Sequence, residues 1–430
     1  MADPATTVMQ RIEALGQISE EPGRLTRTFC SPAMRRANEL VGSWMREAGM
    51  TVRQDAIGNL IGHFPSGTIT AMDHRSRSTQ HATRNTQESP HSDEKILLLG
   101  SHLDTVRDAG KFDGPLGVLT AIACVQQVRD TGARLPFALE VVGFADEEGV
   151  RYHSAYLGSK ALSGSLTRED LQRTDAGGVS LAEAIRGFGG NPDALDTARL
   201  DPGRLLGYLE VHIEQGPVLE QKNLAVGVVT AIAGQSRMKL TFTGRAGHAG
   251  TTPMNLRRDA LCAAAEFLLA AEKLARSQAG LVATVGEITA LPGVSNVIAG
   301  EVRLSLDLRH AQDAVRRAAV SELENLAASL AAARKVGVDW LQVHQTPAVA
   351  CDQRFSSLLS EAVRRHQPEL ALLPSGAGHD AAAMAAMTPV AMLFVRCKDG
   401  LSHHPDESAS VEDVRVAIDV MNDFLQLLAR

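Results

Sequence analysis

Four apolar runs, each leading to a histidine or an acidic residue, constrain the fold of this chain more than any other feature. The runs are residues 95–100, 137–145, 208–213 and 390–395. Runs of this length and composition are typical of buried strands. Between the first two, residues 114–130 have apolar positions at helical spacing. Strand, helix, strand with polar groups at the carboxyl ends of the strands is typical of an α/β fold.

The polar residues at or just beyond these runs are of the types that bind divalent cations. They are His102, Asp113, Glu147, Glu148, His212 and His403. Two cations that share a carboxylate need such a set of nitrogen and oxygen ligands, and two cations with a spare glutamate are typical of hydrolases. The sequence therefore predicts a dimetal hydrolytic site.

The spacing of these residues suggests individual tasks. Asp104 lies two residues after His102, so on an extended segment both side chains point the same way. A carboxylate in that position can orient a metal-bound imidazole. Asp113 lies in a glycine-containing loop, where its carboxylate could reach both cations. Glu147 and Glu148 are adjacent, so one could bind a cation while the other removes a proton from water.

The sequence pattern changes after about residue 225. Alternating or β-branched stretches predict strands, and two Ala- and Leu-rich stretches predict long helices. The strands are expected at 225–233, 237–244, 281–288, 301–309 and 336–343, and the helices at 258–276 and 311–334. Such a mixture is typical of an α+β sheet covered on one face. We therefore expect a catalytic domain in two parts, 1–225 and 343–430, and an inserted lid and dimerisation domain at 226–342.

Composition narrows the remaining possibilities. Residues 66–93 are polar and nearly lack large apolar side chains, so we expect a mobile surface loop there. A formal net charge of −7 gives no reason to expect a nucleic-acid or membrane partner. The five cysteines are scattered without a C-x-x-C pair, which argues against a disulfide framework or a thiolate zinc site. No signal-peptide or membrane-spanning pattern occurs, so we expect a cytoplasmic protein.

Several short motifs follow one another along nearly the whole chain outside residues 66–93. They are GSHLDT (100–105), FDGPLG (112–117), DEEG (146–149), LEVHIEQGP (209–217), GHAGTTPM (247–254), SNVI (295–298), DLR (307–309), SGAGHDA (375–381) and SHHP (402–405). This series resembles the M20 metallohydrolase family, specifically its amidase branch of allantoate amidohydrolases, N-carbamoyl-L-amino acid hydrolases and β-ureidopropionases. The resemblance implies an α/β, dimetal aminopeptidase-like catalytic domain, with a mixed sheet flanked by helices, plus an inserted α+β lid.

The resemblance also implies a role for each residue of the metal site. His102, Asp113 and His212 would hold one cation, and Asp113, Glu148 and His403 the other, with Mn²⁺, Zn²⁺ or Co²⁺ as the metal. Glu147 would be the general base, and Asp104 would orient the metal-bound imidazole of His102. His403 is preferred over its neighbour His404 because the four-residue step to Glu407 matches the family. A non-proline cis peptide bond is implied between Asp113 and Gly114.

Residues outside the metal site resemble those that hold the substrate in the family. Arg309 would bind the substrate carboxylate, because a planar guanidinium can form two parallel hydrogen bonds to it. Gln235, Asn296, Gly378 and His379 would bind the rest of the substrate. His248 would stabilise the developing oxyanion, contributed by the partner subunit of a homodimer formed through the lid domain.

The segment from Asp108 to Lys111 is the main indication of the substrate, since it looks more like that of allantoate amidohydrolases. We therefore expect hydrolysis of the terminal carbamoyl C–N bond of allantoate, giving ureidoglycine, ammonia and carbon dioxide. The alternative is an N-carbamoyl-L-amino acid hydrolase or β-ureidopropionase on the same machinery. A binding protein that had lost catalysis would lack a ligand or the base, and all of these residues are present.

Overall fold

The computed structural model describes residues 3–67 and 94–430. The chain there folds into two compact units. Among the described residues, the first unit contains 3–67, 94–230, Cys351–Leu373 and His379–Arg430, and the second contains Ala231–Ala350 and Pro374–Gly378. Apart from its first two residues, the loop expected at 66–93 lies outside the described residues.

The helices of the described residues are distributed over both units. They are α1 (Pro4–Gly16), α2 (Pro32–Glu47), α3 (Pro115–Thr131), α4 (Leu157–Ser163), α5 (Leu181–Phe188), α6 (Val218–Lys222), α7 (Ala260–Ser277), α8 (Asp313–Arg334), α9 (Gln353–Val363), α10 (Asp380–Met384) and α11 (Val411–Leu428). Serine residues cap the N-termini of α2 and α11: the hydroxyl oxygens of Ser31 and Ser410 each accept a hydrogen bond from a backbone N–H three residues later.

The strands follow the same chain order. They are β1 (Thr51–Gln54), β2 (Leu60–Phe64), β3 (Ile96–His102), β4 (Ala138–Phe144), β5 (Leu205–Ile213), β6 (Val226–Ile232), β7 (Gly234–Thr243), β8 (Gly247–His248), β9 (Val282–Thr284), β10 (Ile288–Leu291), β11 (Val297–Ile298), β12 (Glu301–His310), β13 (Gly337–Thr346), β14 (Val349–Ala350), β15 (Leu372–Ser375) and β16 (Val390–Val395).

A mixed sheet forms the centre of the first unit, in the order β1-β2-β4-β3-β5-β16-β6. Strands β4, β3, β5 and β16 run parallel to one another, whereas β1, β2 and β6 pair antiparallel. Parallel strands place their carboxyl ends at the same edge of a sheet. The segments that follow these four strands therefore meet at one edge.

Helices cover both faces of this sheet. On β5, Leu209, Val211 and Ile213 belong to the apolar core that also contains α1, α3, α9 and α11. Side chains alternate along a strand, so Glu210 and His212 point to the opposite face. There Glu210 accepts a hydrogen bond from the backbone N–H of Ala381, at the start of α10. The first unit is a mixed α/β structure, as expected from the sequence.

The second unit contains a smaller antiparallel sheet in the order β10-β12-β7-β13, with β9 also paired to β12. Alternate residues of β7 and β12 are buried with apolar residues of α7 and α8 in one core. Their other residues are exposed or only partly buried. This is the pattern expected of a sheet covered on one face.

The strand predicted at 281–288 is wrong in detail, because Val282–Thr284 and Ile288–Leu291 are separate strands. They pair with different parts of β12. Between the two paired regions, the Oγ of Ser305 accepts a hydrogen bond from the backbone N–H of Glu287, and the backbone N–H of Ser305 donates to the carbonyl oxygen of Glu287. Among the described residues, no helix is long and apolar enough to cross a membrane.

Candidate metal and catalytic site

The four parallel strands of the first unit deliver most of the predicted metal-site residues. His102 is the last residue of β3, and His212 is the penultimate residue of β5. Glu147 and Glu148 lie just after β4, and His403 lies beyond β16. Because these strands end at the same edge of the sheet, residues far apart in sequence come together there.

Asp113 lies at the centre of this group, and its two carboxylate oxygens face different side chains. Oδ1 lies 3.3 Å from Nε2 of His102 and 3.1 Å from Nε2 of His212. Oδ2 lies 3.2 Å from Nε2 of His403, which in turn lies 3.4 Å from Oε1 of Glu148. Asp113 thus stands between two sets of potential ligands. Within each set, the ligand atoms lie within 4.8 Å of one another.

Backbone carbonyls orient the two buried imidazoles. His102 Nδ1 lies 3.0 Å from the carbonyl oxygen of Asp104, and His212 Nδ1 lies 2.9 Å from that of Ile213. A carbonyl oxygen can only accept, so Nδ1 carries a proton in both rings, and Nε2 is the ring nitrogen directed to Asp113. Both rings are therefore oriented so that Nε2 is the nitrogen that could bind a cation in place of its proton.

Asp104 organises the turn that contains the two adjacent glutamates. Its Oδ1 accepts a hydrogen bond from the backbone N–H of Glu147 at 2.9 Å, and its Oδ2 accepts one from that of Glu148 at 3.1 Å. Oδ1 also lies 3.4 Å from Nδ1 of His102. One buried carboxylate therefore links the end of β3 to the turn after β4.

The site concentrates negative charge in a buried region. Burial raises the pKa of Glu147 well above its ordinary value, and the nearby Glu148 adds to this. Burial and the charge of Asp113 raise the pKa of Glu148 to about 7. For Asp113 itself, burial is outweighed by hydrogen bonds from three histidines, which hold its pKa well below the usual range. The hydrogen bond to Asp113 raises the pKa of His403 to about 9.

These features fit a pair of divalent cations. A positive ion relieves the repulsion among close carboxylates, and His nitrogens with carboxylate oxygens suit zinc, manganese or cobalt. Cations that share a bridging carboxylate lie about 3.5–4 Å apart. A single carboxylate whose two oxygens face different ligand sets, as in Asp113, matches that arrangement.

Three polar residues that the sequence analysis did not assign surround Asp113. Glu407 is buried, and its Oε1 accepts hydrogen bonds from the backbone N–H groups of Phe112 and Asp113. Ser402 and Gln215 both donate to Oδ2 of Asp113. In the sequence, Gln215 and Ser402 could be noticed only as polar residues within the recognised motifs. A motif does not reveal which atom such a side chain contacts.

A second buried polar group lies beside His212. His379 packs edge-on against the ring of His212, with 4.6 Å between ring centroids. Burial and the nearby His212 lower the pKa of His379 well below its ordinary value. Glu210 accepts a hydrogen bond from the hydroxyl of Ser101, and Asp380 accepts one from that of Ser159. The structure therefore places His379 in contact with His212, next to the candidate metal site.

The second unit brings Gln235 and Arg309 together on neighbouring strands. The two residues are directly paired in the β7–β12 register. Arg309 donates two hydrogen bonds to the carboxylate of Asp307, at 3.0 and 3.1 Å, and Gln235 donates to the same carboxylate at 2.7 Å. Arg309 also donates to the carbonyl oxygen of Gly376, two residues before Gly378.

His248 and Asn296 form another pair within the second unit. The exposed His248 lies on β8, opposite Val297 of β11. The carbonyl oxygen of the adjacent Asn296 accepts a hydrogen bond from the backbone N–H of Ala249. The two predicted substrate-side residues are therefore neighbours across a short two-stranded ladder.

The expected cis peptide bond between Asp113 and Gly114 is wrong. Among the described residues, the cis bond lies at Leu291–Pro292. Gly114 instead has φ of +82°, which only glycine adopts readily, and this dihedral makes the turn into α3. A Cβ atom at Gly114 would lie 2.5 Å from the ring of His102, so the close approach also requires glycine.

Comparison with known proteins gives a consistent result. Residues 98–427 match the sequence profile of the family described as peptidase family M20/M25/M40. The chain is 40% identical over 440 residues to a probable allantoate deiminase of Oryza sativa subsp. japonica, covering 95% of this chain and 85% of that protein. It is 39% identical over 422 residues to the N-carbamoyl-L-amino acid amidohydrolase of Geobacillus stearothermophilus, covering 98% of each.

A solved structure extends the similarity to the fold. An amidase of the hydantoinase/carbamoylase family from Burkholderia multivorans superposes with a TM-score of 0.88 at 30% sequence identity. The superposition covers 99% of this chain and 98% of that one. The similarity therefore extends over the whole chain and is not confined to a shared core.

Proposed function

The chain belongs to peptidase family M20/M25/M40, and on that premise we propose that it is a dimetal amidohydrolase that cleaves the terminal carbamoyl C–N bond of allantoate. The observation that carries the proposal is the position of Asp113, whose two oxygens face two separate sets of ligands. Relatives at 40% and 39% identity are named for hydrolysis of ureido compounds.

We assign His102 and His212 to the cation on the Oδ1 side of Asp113, and Glu148 and His403 to the cation on the Oδ2 side. The distances around Asp113 and the fixed ring orientations of the two buried histidines support this assignment. Two cations bound there would polarise the ureido carbonyl group and lower the pKa of the attacking water.

Glu147 is the general base in this proposal. It is buried beside the two ligand sets, and Asp104 holds its backbone N–H in place. A carboxyl group with a raised pKa can take a proton from water and then return it to the leaving nitrogen. Loss of that nitrogen as ammonia leaves a carbamate, which breaks down to the amine and carbon dioxide.

The substrate-side assignments rest on the family motifs and on the geometry within each unit. We propose that Arg309 binds the substrate carboxylate with Gln235 beside it, and that Asn296, Gly378 and His379 bind the remaining polar groups. His248 would stabilise the oxyanion. Arg309 donates two hydrogen bonds to the carboxylate of Asp307, so a substrate carboxylate would accept from its remaining N–H groups or replace Asp307.

An N-carbamoyl-L-amino acid is the second candidate substrate. The relative with that activity is only one percentage point less identical than the probable allantoate deiminase, and it matches over 98% of both chains. We rank allantoate first because the segment 108–111 looks more like that of allantoate amidohydrolases. There Gly110 packs against Glu407, which in turn supports the backbone of Asp113.

The test is ammonia release on allantoate, N-carbamoyl-β-alanine and a panel of N-carbamoyl-L-amino acids, each with Mn²⁺ and with Zn²⁺. We expect the highest kcat/KM on allantoate, and no release after chelation of the cations. A higher kcat/KM on a carbamoyl amino acid would replace the first substrate by the second. No release from any of these ureido compounds would contradict the amidohydrolase proposal itself.

We also propose that the protein is a homodimer formed through the second unit, because the family places the oxyanion-stabilising histidine, here His248, in the partner subunit. Sedimentation equilibrium measures this directly. A single species at the monomer mass of 45.8 kDa across micromolar concentrations would contradict it.

A further inference from the structure

The two oxygens of Asp113 have different hydrogen-bond environments. Oδ1 faces the Nε2 atoms of His102 and His212. Oδ2 faces His403 and, in addition, two hydrogen-bond donors of the protein: Gln215 Nε2 at 2.9 Å and Ser402 Oγ at 2.8 Å. The Oδ2 side is therefore shared between a candidate ligand set and two neutral donors.

Gln215 can contact this carboxylate only through its N–H group, because a carboxylate oxygen accepts and cannot donate. The same Nε2 lies 3.1 Å from the hydroxyl oxygen of Ser402. Since that oxygen accepts from Gln215, its single proton is directed to Asp113 or to Oε2 of Glu407, which lies 3.1 Å away. Gln215 and Ser402 thus each place a hydrogen-bond donor next to Oδ2 of Asp113.

The two sides also differ in burial and backbone conformation. The side chains of His102 and His212 are 2% exposed, whereas that of His403 is 49% exposed. Gln215 and His403 both have φ of +56°, in the left-handed region that is unfavourable for residues with a Cβ atom. The residues on the Oδ2 side are therefore less buried, and two of them have an unfavourable backbone conformation. Their positions depend on support from neighbouring residues.

We propose that Gln215, together with Ser402, is a positioning residue that sets the affinity of the cation site on the Oδ2 side of Asp113, formed with Glu148 and His403. This inference rests on the proposed dimetal site. Hydrogen bonds to a ligating carboxylate fix its orientation, and their loss typically weakens metal binding by about 10–100-fold. On the Oδ1 side, the imidazoles are fixed by backbone carbonyls, so that site does not depend on Gln215.

The experiment measures cation binding without substrate. Full-length protein is freed of cations by dialysis against a chelator and titrated calorimetrically with Mn²⁺, as wild type and as Gln215→Met, which keeps the size and removes the donor. Gln221→Leu, an exposed glutamine in α6, is the matched control. Ser402→Ala removes the second donor and serves as an independent variant if Gln215→Met does not fold.

For the wild type and Gln221→Leu, we expect two binding steps of unequal affinity. In Gln215→Met the weaker step should lose about 10–100-fold in affinity while the tighter step changes by less than about threefold. Two Mn²⁺ ions that share a carboxylate give an exchange-coupled signal in electron paramagnetic resonance. In Gln215→Met this signal should require a correspondingly higher Mn²⁺ concentration. The melting temperature of the cation-free protein should stay within the range of the control.

Three results would overturn this assignment: an equal loss at both steps, no loss in either variant, or two identical steps in the wild type. If the wild type binds no second cation, the proposed dimetal function fails before the role of Gln215 is tested. If it binds two and Gln215→Met acts as expected, the assignment holds whichever ureido compound proves to be the substrate.

Discussion

Glu407 and Asp113, 294 positions apart in sequence, are joined by a 3.0 Å hydrogen bond from the backbone N–H of Asp113 to Oε1 of Glu407. The same oxygen accepts from the backbone N–H of Phe112 at 2.8 Å. Gly110 packs so closely against Glu407 that a Cβ atom there would lie 2.3 Å from the Cβ of the glutamate. The loop that carries the bridging carboxylate is therefore held in place by the segment that carries His403.

Replacing Glu407 by alanine should destabilise the cation-free protein. The change leaves two buried backbone N–H groups without an acceptor, and each costs about 1–3 kcal/mol. We expect the free energy of unfolding in urea to fall by at least about 2 kcal/mol. Glu412→Ala, an exposed glutamate in α11, is the control, and a loss no larger than in that variant would show that Glu407 does not hold the loop.

Glu147→Gln should nearly abolish ammonia release while the cation content stays at the wild-type level. An amide cannot take a proton from water, and a general base contributes about 10²–10⁴-fold to the rate. The measurements are kcat with the preferred ureido substrate and metal content by elemental analysis. Activity close to that of the wild type would exclude Glu147 as the base, and loss of a cation would identify it as a ligand.

Gly114→Ala should weaken cation binding, whereas Gly132→Ala should not. Both glycines have positive φ, so both variants should be strained: by about 1–2 kcal/mol at Gly132, which is in the left-handed helical region, and by more at Gly114, whose ψ of −62° lies outside that region. Only at Gly114 would the added methyl group meet the ring of His102, at 2.5 Å; at Gly132 no described atom lies within 4 Å. Calorimetric titration with Mn²⁺ should show a loss of about tenfold or more for Gly114→Ala alone. Equal affinities for the two variants would mean that the ring of His102 tolerates the displacement.

Arg309→Ala should raise KM for substrates with a carboxylate, by about 10–100-fold if a charge-assisted pair of hydrogen bonds is lost. Arg303→Ala is the matched control, because the exposed Arg303 lies on the same strand and pairs with Glu301. Steady-state kinetics on the preferred substrate would show the difference. Unchanged KM and kcat in Arg309→Ala would exclude it from substrate binding.

The pattern of the sequence was sufficient for the fold class and the family. Buried runs such as 137–145 and Val390–Val395 are strands within one or two residues of the prediction, because continuous apolar runs have few alternatives in a buried parallel sheet. The family resemblance is confirmed by the profile match over residues 98–427. Helix α1 and the hairpin of β1 and β2 were not predicted, because short amphipathic segments give a weak signal by themselves.

The sequence alone determined which residue types form the site, since histidines and carboxylates at the ends of apolar runs can be recognised without coordinates. Only the tertiary structure decided how they are connected. Hydrogen bonds from Gln215 and Ser402 to one oxygen of Asp113, and from the Asp113 backbone to Glu407, join segments about 100 to almost 300 residues apart. Such contacts depend on the order and direction of strands in the sheet, and no local pattern of residues encodes them.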